Sequence, residues 1–168
     1  GALVIGDVGQ ASFEEIDYEP AGTGQRNYGW SIWEGFHPHL NRPSAPLQFV
    51  NPIHEYDHSF GNSITGGFVY RGARLGSAYR GRYFFADSET ARVWSLGLSV
   101  NAATGEAIVT NVIEHTAELG GSLGPIVSFG RDLQGELYLV SIDGRIVRIA
   151  SDSTNANLPQ APADVRSV

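Results

Sequence analysis

Apolar positions along the chain come in short runs, either continuous or alternating with polar residues, and the runs are separated by turn residues. This pattern predicts strands near Ala2–Ile5, Glu15–Tyr18, Ile53–Tyr56, Gly67–Arg71, Tyr83–Ala86, Arg92–Leu96, Ala107–Glu114, Ile126–Phe129, Leu137–Ser141 and Ile146–Ile149. Most are near the usual strand length of about 5–6 residues. No long segment carries a 3.6-residue period. The best helical candidate is Ser12–Ile16, a Ser cap ahead of Glu14 and Glu15, and it is shorter than an isolated helix needs. The pattern is therefore all-β.

A unit recurs within it. Gly81-Arg-Tyr-Phe-Phe-Ala-Asp87 leads through a turn to Ala91–Leu96. Gly135-Glu-Leu-Tyr-Leu-Val-Ser141 leads through Asp143-Gly144 to Arg145–Ile149, and Gly1–Asp7 repeats the first half. Recurrent hairpins at irregular spacing predict propeller blades with loop insertions, with a β-sandwich as the alternative. Residues Ala21–Pro52, rich in Gly, Asn, Pro, His and Trp, form an insertion of the kind that often carries function. The strand pattern covers residues 1–150. Ser151–Val168 reads as a linker or disordered tail.

Composition narrows the function classes. The chain of 168 residues is 42% apolar, enough for a core, and contains 21 Gly. Its formal charge is -7, and all 11 basic residues are Arg. The acidic balance excludes a basic stripe, so no nucleic-acid partner is expected. No apolar run has the roughly 20 residues of a membrane span. With no Cys, there is no disulfide framework, thiolate metal site or Cys nucleophile. With no Lys, there is no Schiff base and no phosphate-loop lysine. With no Met, residue 1 is expected to be a processing point or a cut through a longer protein.

The candidate chemistry lies in a few places. Asp7-Val8-Gly9-Gln10 together with Glu14-Glu15 places carboxylates beside a glycine turn, as a calcium site requires; solvated carboxylates are the alternative. Asn27–Gly35 holds Tyr28, Trp30 and Trp33, whose rings either stack on a sugar or planar cofactor or pin the loop to the core. His37 and His39 flank Pro38 as a weak metal pair, and His58 is a lone candidate base. Ser63 and Thr65 lie in a Gly-rich bend, but the chain has no nucleophile elbow.

Taken in order, Asp7-Val-Gly-Gln10, Glu14-Glu-Ile16, Asn27-Tyr-Gly-Trp30, Ser63–Gly72, Gly81–Leu96 and Ser128–Tyr138 resemble the landmarks of the glucose/sorbosone dehydrogenase family. That family includes soluble quinoprotein glucose dehydrogenase and aldose sugar dehydrogenases, and the hedgehog-interacting protein is a relative. The resemblance implies a six-bladed β-propeller, of which this chain is the C-terminal portion, completed by missing N-terminal blades. It implies a pyrroloquinoline quinone (PQQ) cofactor, contacted here by Ser63 and Thr65. It also implies calcium, held by the Gly9 and Gln10 carbonyls and by a second set of ligands at Glu14, Glu15 and the Tyr28 carbonyl. The implied activity is sugar oxidation by hydride transfer to the quinone in a periplasmic or secreted protein. The base would lie upstream of Gly1, so the chain alone is expected to be inactive. An acidic quinone needs cations. Arg71, Arg74, Arg80, Arg82 and Arg92 are the candidates, since Gly120–Gly130 contains none. The alternative is a non-catalytic propeller that binds a protein or carbohydrate, as the hedgehog-interacting relative does.

Overall fold

The computed structural model describes residues 1–40, 48–119 and 123–151, and the backbone of 163–167. Every regular element among them is a strand. Strand β1 (Leu3–Asp7) pairs antiparallel with β2 (Phe13–Glu19), and β2 pairs with β5 (His54–Asp57). A small hairpin, β3 (Trp33–Glu34) with β4 (His37–Pro38), stands within the insertion. The second large sheet is the meander β6 (Ile64–Thr65), β7 (Arg82–Asp87), β8 (Val93–Val100) and β9 (Ala107–Glu114). The third is β10 (Ile126–Arg131), β11 (Leu137–Ser141), β12 (Ile146–Ser151) and β13 (Ala163–Ser167).

The first strands of the three large sheets lie beside one another, with β6 against both β1 and β10. Successive meanders whose leading strands share an axis are the blades of a partial β-propeller. At that axis the backbones come close enough to exclude side chains: a Cβ on Gly6 would stand 3.0 Å from the Gly66 nitrogen. Gly6 on β1 and Gly66 just after β6 let the two strands meet.

The core lies between blades. Along β7, Tyr83 and Phe85 face the first blade and pack with Ile16, Tyr56, Ile64, Trp94 and Leu96. Phe84 and Ala86 face the third blade and pack with Ile126, Leu137, Leu139 and Ile149. A strand held between two blades buries both faces, and all of Arg82–Asp87 is buried. The continuous apolar run Tyr83–Ala86 in the sequence reflects this.

Two expectations are corrected. Ser12–Ile16 is not helical: β2 runs through it because β1 offers a full ladder from Leu3↔Glu19 to Asp7↔Glu15. Gly67–Arg71 is not a continuous strand. Its Val69 bridges Tyr83 and its Tyr70 N–H donates to the Arg82 carbonyl, but Gly66-Gly67 interrupts the pairing begun by β6. Within the expected tail 151–168, the described part is Ser151 and the backbone of β13, which pairs with β12.

Candidate metal centre

The β1–β2 register brings carboxylates together. Asp7 stands directly across from Glu15, and Asp17 follows two residues along β2 on the same face. Oxygens of Asp7, Glu15 and Asp17 all lie within 4.8 Å of one another. Like charges directly across a ladder are destabilising, and this group has little water to screen them: Asp17 is 1% exposed and Glu15 6%. Asp7 stands exposed at the mouth. Glu15 Oε2 accepts from the Gly35 N–H at 2.6 Å. Both Asp17 oxygens are buried with no hydrogen-bond partner.

The electrostatics follow from that crowding. Burial, reinforced by the charges of Glu15 and Asp7, pushes the Asp17 carboxyl up to about 8. Burial is also the largest influence on Glu15, which rises to about 7; the Gly35 N–H opposes the shift and Asp7, Glu55 and Glu34 add to it. Asp7 is raised by burial as well. A cavity of about 100 Å³ adjoins the group, lined by Asp7, Val8, Gly9, Glu15, Trp30 and Glu34. Among the described residues only oxygen donors converge here, which selects a hard cation over a thiophilic metal. A divalent ion would neutralise the crowded carboxylates and satisfy the orphaned Asp17, so the residues fit calcium.

The surrounding loops are built to hold this geometry. Glu34, on β3, accepts at Oε1 from the N–H groups of Ala11 at 2.6 Å and Ser12 at 3.0 Å, and its Oε2 is 3.1 Å from His39 Nδ1. Burial pushes Glu34 up, but the N–H groups of Ala11, Ser12, Phe13 and Gln10 outweigh it and hold the carboxyl below its ordinary value. Glu34 thus fastens the Gly9–Phe13 turn. Gly9 has no room for a side chain there: a Cβ would stand 1.7 Å from the Phe13 carbonyl oxygen. His37 Nε2 is 2.9 Å from Glu55 Oε1, and the Phe36 N–H donates to Glu55 Oε2, so the β3–β4 hairpin is strapped to β5.

Comparison with known proteins places the chain beside two plant sequences. It is 32% identical over 173 aligned residues to the HIPL1 protein of Arabidopsis thaliana, covering 87% of this chain and 24% of that protein. It is 29% identical to the HIPL2 protein of the same plant, again with 87% of this chain and 24% of the relative. The chain is a homologue of the HIPL proteins. It spans about a quarter of the length of these curated relatives. No family model matches the chain, and no solved structure does.

The residues expected at a metal separate in the structure. Glu15 belongs to the carboxylate group, and Gly9 lines its cavity. Gln10 is exposed. Glu14 projects from the opposite face of β2, where Oε2 accepts from the Ile64 N–H at 2.8 Å and Oε1 is 3.0 Å from His58 Nε2. The alternative of solvated carboxylates is overturned, since Glu14 and Glu15 are both buried. Tyr28 donates from its hydroxyl to Glu19 at 2.8 Å, one alternation beyond Asp17 on β2. Sequence reasoning missed Asp17 and Glu34. The signal for Asp17 was the period of two through Glu15-Ile-Asp17, which a strand makes into one face.

Ser63 and Thr65 stand apart from this group. The Thr65 hydroxyl donates to the Ile126 carbonyl, and the Ser63 N–H donates to Asp87. Neither described partner is a cation. Arg82 bonds Ser95 and Asn111, and Arg26 pairs with Glu106. Of the Gly120–Gly130 stretch, residues 120–122 lie outside the described residues. Trp30 lines the cavity beside the carboxylate group, whereas Trp33 packs on Phe49 at 4.9 Å.

Proposed function

We propose that the chain is part of a non-catalytic propeller that binds a protein or carbohydrate, with its first blade and insertion loop organised by calcium at Asp7, Glu15 and Asp17. The HIPL-named relatives carry this reading, together with motifs resembling a family that includes the hedgehog-interacting protein. The orphaned Asp17 supports the ion. Calcium here is structural: it would tie β1 to β2 and, through Glu15 and the Gly35 N–H, tie β2 to the β3–β4 hairpin. A site built from few carboxylates suits the calcium-rich exterior of cells, where modules bind calcium with dissociation constants of about 10⁻⁴–10⁻³ M. A periplasmic or secreted location fits that affinity.

The sugar-dehydrogenase activity expected from the resemblance is not part of this reading. A clamp for an acidic quinone needs paired cations, and the described partners of Ser63 and Thr65 are Asp87 and Ile126.

The test is made on the whole protein of which this chain is part, supplied with calcium and PQQ, because the base implied by the dehydrogenase resemblance would lie upstream of Gly1 and the chain alone would be inactive on either reading. The expected outcome is no aldose oxidation and no change in quinone absorbance, with calcium-dependent retention on a glycan array or an extracellular protein bait. Dye reduction with any aldose would sink the non-catalytic reading.

A further inference from the structure

A second cavity, of about 330 Å³, opens between the first and second blades, apart from the carboxylate group of β1 and β2. It is at the small end of ligand pockets, which run from about 300 to 1,000 Å³. Its walls are aromatic. Phe85 and Trp94, stacked at 5.4 Å, line it together with Tyr56, which packs on Trp94 at 5.2 Å. The Tyr56 hydroxyl donates to Asp87 Oδ2 at 3.0 Å, so this residue offers the cleft its ring. Phe13 and Phe60 complete the aromatic lining, and Phe60 remains 47% exposed.

Exposed rings are often loosely placed, but the turn that carries Phe60 is fixed. The Phe60 N–H donates to the Asp57 carbonyl at 2.9 Å, and Asp57 Oδ1 accepts from the Ser59 N–H at 2.8 Å. The Thr90 hydroxyl reaches the Phe60 carbonyl at 3.4 Å. Little ordering of this segment is left to do on binding.

The charge of the lining has one sign. It contains the carboxylates of Asp57 and Glu55 and, among the described residues, no Arg. The Ser59 hydroxyl and N–H hold the Asp57 carboxyl below its ordinary value, so it is ionised. Burial lowers His54, which is therefore a neutral imidazole and adds no opposing charge. Arg92 stands 5.4 Å from the Phe60 centroid but lies outside the lining and pairs with Glu114 at 3.9 Å, so it does not balance the carboxylates of the cleft. Aromatic faces are negative as well, and attract cations within about 6 Å of the ring centroid. Rings and carboxylates thus select the same kind of ligand, an organic cation.

Hydrogen bonding narrows the class. Glu55 Oε1 is 2.9 Å from His37 Nε2, and its Oε2 accepts from the Phe36 N–H. Asp57 Oδ1 is taken by Ser59. A primary ammonium brings three N–H donors that each need an acceptor. A quaternary ammonium brings charge without donors, and its methyl groups suit an apolar wall. We infer that this cleft binds a small quaternary ammonium cation, with Phe60 as its open aromatic face and Asp57 and Glu55 as its counter-charges. The inference goes beyond the binding-module reading and stands without it.

The experiment titrates the whole calcium-loaded protein with choline, read by calorimetry and by saturation-transfer NMR on the ligand methyl groups. Two further probes run in parallel: the uncharged analogue of choline in which carbon replaces the nitrogen, and propylammonium. Choline is expected to bind saturably, and its carbon analogue at least about tenfold more weakly. Phe60→Leu keeps apolar bulk but removes the ring face, and should weaken choline by about fivefold. Asp57→Asn keeps an oxygen for the Ser59 N–H, and should weaken choline several-fold while flattening its salt dependence. Both positions are exposed, so melting temperatures should stay unchanged. Equal affinity for the carbon analogue overturns selection by charge. Choline binding that is unaltered in both variants overturns the site. Tighter binding of propylammonium overturns the quaternary class and assigns the cleft to primary ammonium groups such as a lysine side chain of a partner. Absence of saturable choline binding overturns the inference as a whole.

Discussion

Asp17 concentrates the tension of the first blade. Its carboxylate is buried, unpartnered and held beside Glu15 and Asp7. Without calcium the favoured remedy is protonation, which is why Asp17 rises to about 8 and Glu15 to about 7. Both folded values lie above the ordinary carboxylate range, so between about pH 4 and pH 8 the folded chain binds more protons than the unfolded chain. Stability of the calcium-free protein therefore falls as pH rises through that window, by on the order of several kcal/mol. Calcium needs the deprotonated form, so its stabilising effect should grow over the same window. The measurement is the melting temperature in EDTA and in calcium from pH 5 to about pH 9. The expected gap is small at the acid end and wide at the alkaline end. Asp17→Asn should raise the EDTA melting temperature at alkaline pH, by removing a buried charge, and abolish the calcium response. A calcium shift that persists in Asp17→Asn would remove Asp17 from the site.

At the scale of elements, the second blade shows how a buried cation can staple a meander. Arg82 on β7 is 7% exposed, and its Nε donates to the Ser95 hydroxyl on β8 at 2.8 Å. Its other nitrogens reach the Ser95 carbonyl, the Asn111 carbonyl and the Asn111 side chain on β9. The rigid fork of guanidinium donors matches this spread, which a lysine ammonium cannot copy. Arg82→Met should destabilise the chain by about 2–4 kcal/mol, since the buried Ser95 hydroxyl and carbonyl and, in half-buried bonds, the Asn111 acceptors lose their donors together. Arg82→Lys should recover only part of that loss. Chemical denaturation of the three proteins measures it, and an Arg82→Met variant as stable as the parent would contradict the staple. The strands β7 and β8 that this residue joins were legible in the sequence, because β7 carries the unbroken apolar run Tyr83–Ala86 and β8 alternates apolar residues with Ser95, Gly97 and Ser99. The β3–β4 hairpin was not legible. Its strands have two residues each, too few for any period, and they are held in place because Glu34 on β3 accepts from the Ala11 and Ser12 N–H groups and Glu55 on β5 accepts from the Phe36 N–H in the hairpin's turn. The same limit hid Glu34. Asp7 and Glu15 were visible as a motif and Asp17 shares the face of Glu15 through the strand's period of two, but Glu34 reaches the adjoining cavity only through loop closure, which local spacing does not encode.

For the molecule as a whole, the balance is between sticky blade surfaces and net charge. Among the described residues, Leu3 on β1 is 57% exposed, Ile146 on β12 is 55% and Ile142 is 68%. These residues belong to the first and third blades, which flank the central one. Exposed apolar side chains on sheets with free edges invite association. Against this stands a formal charge of -7 on 168 residues, which keeps copies apart while it is unscreened. The Debye length falls from about 30 Å at 0.01 M salt to about 10 Å at 0.1 M. Repulsion between copies therefore weakens over that range, while the apolar contacts do not. The expected behaviour is a scattering mass near that of one chain at low salt that climbs as salt is raised. Leu3→Gln and Ile146→Gln together should shift the climb to higher salt without lowering the melting temperature, because neither side chain is buried. If the scattering mass stays that of a single chain across the salt series, the flanking blade surfaces are not adhesive and the blades of this propeller need no neighbour to cover them.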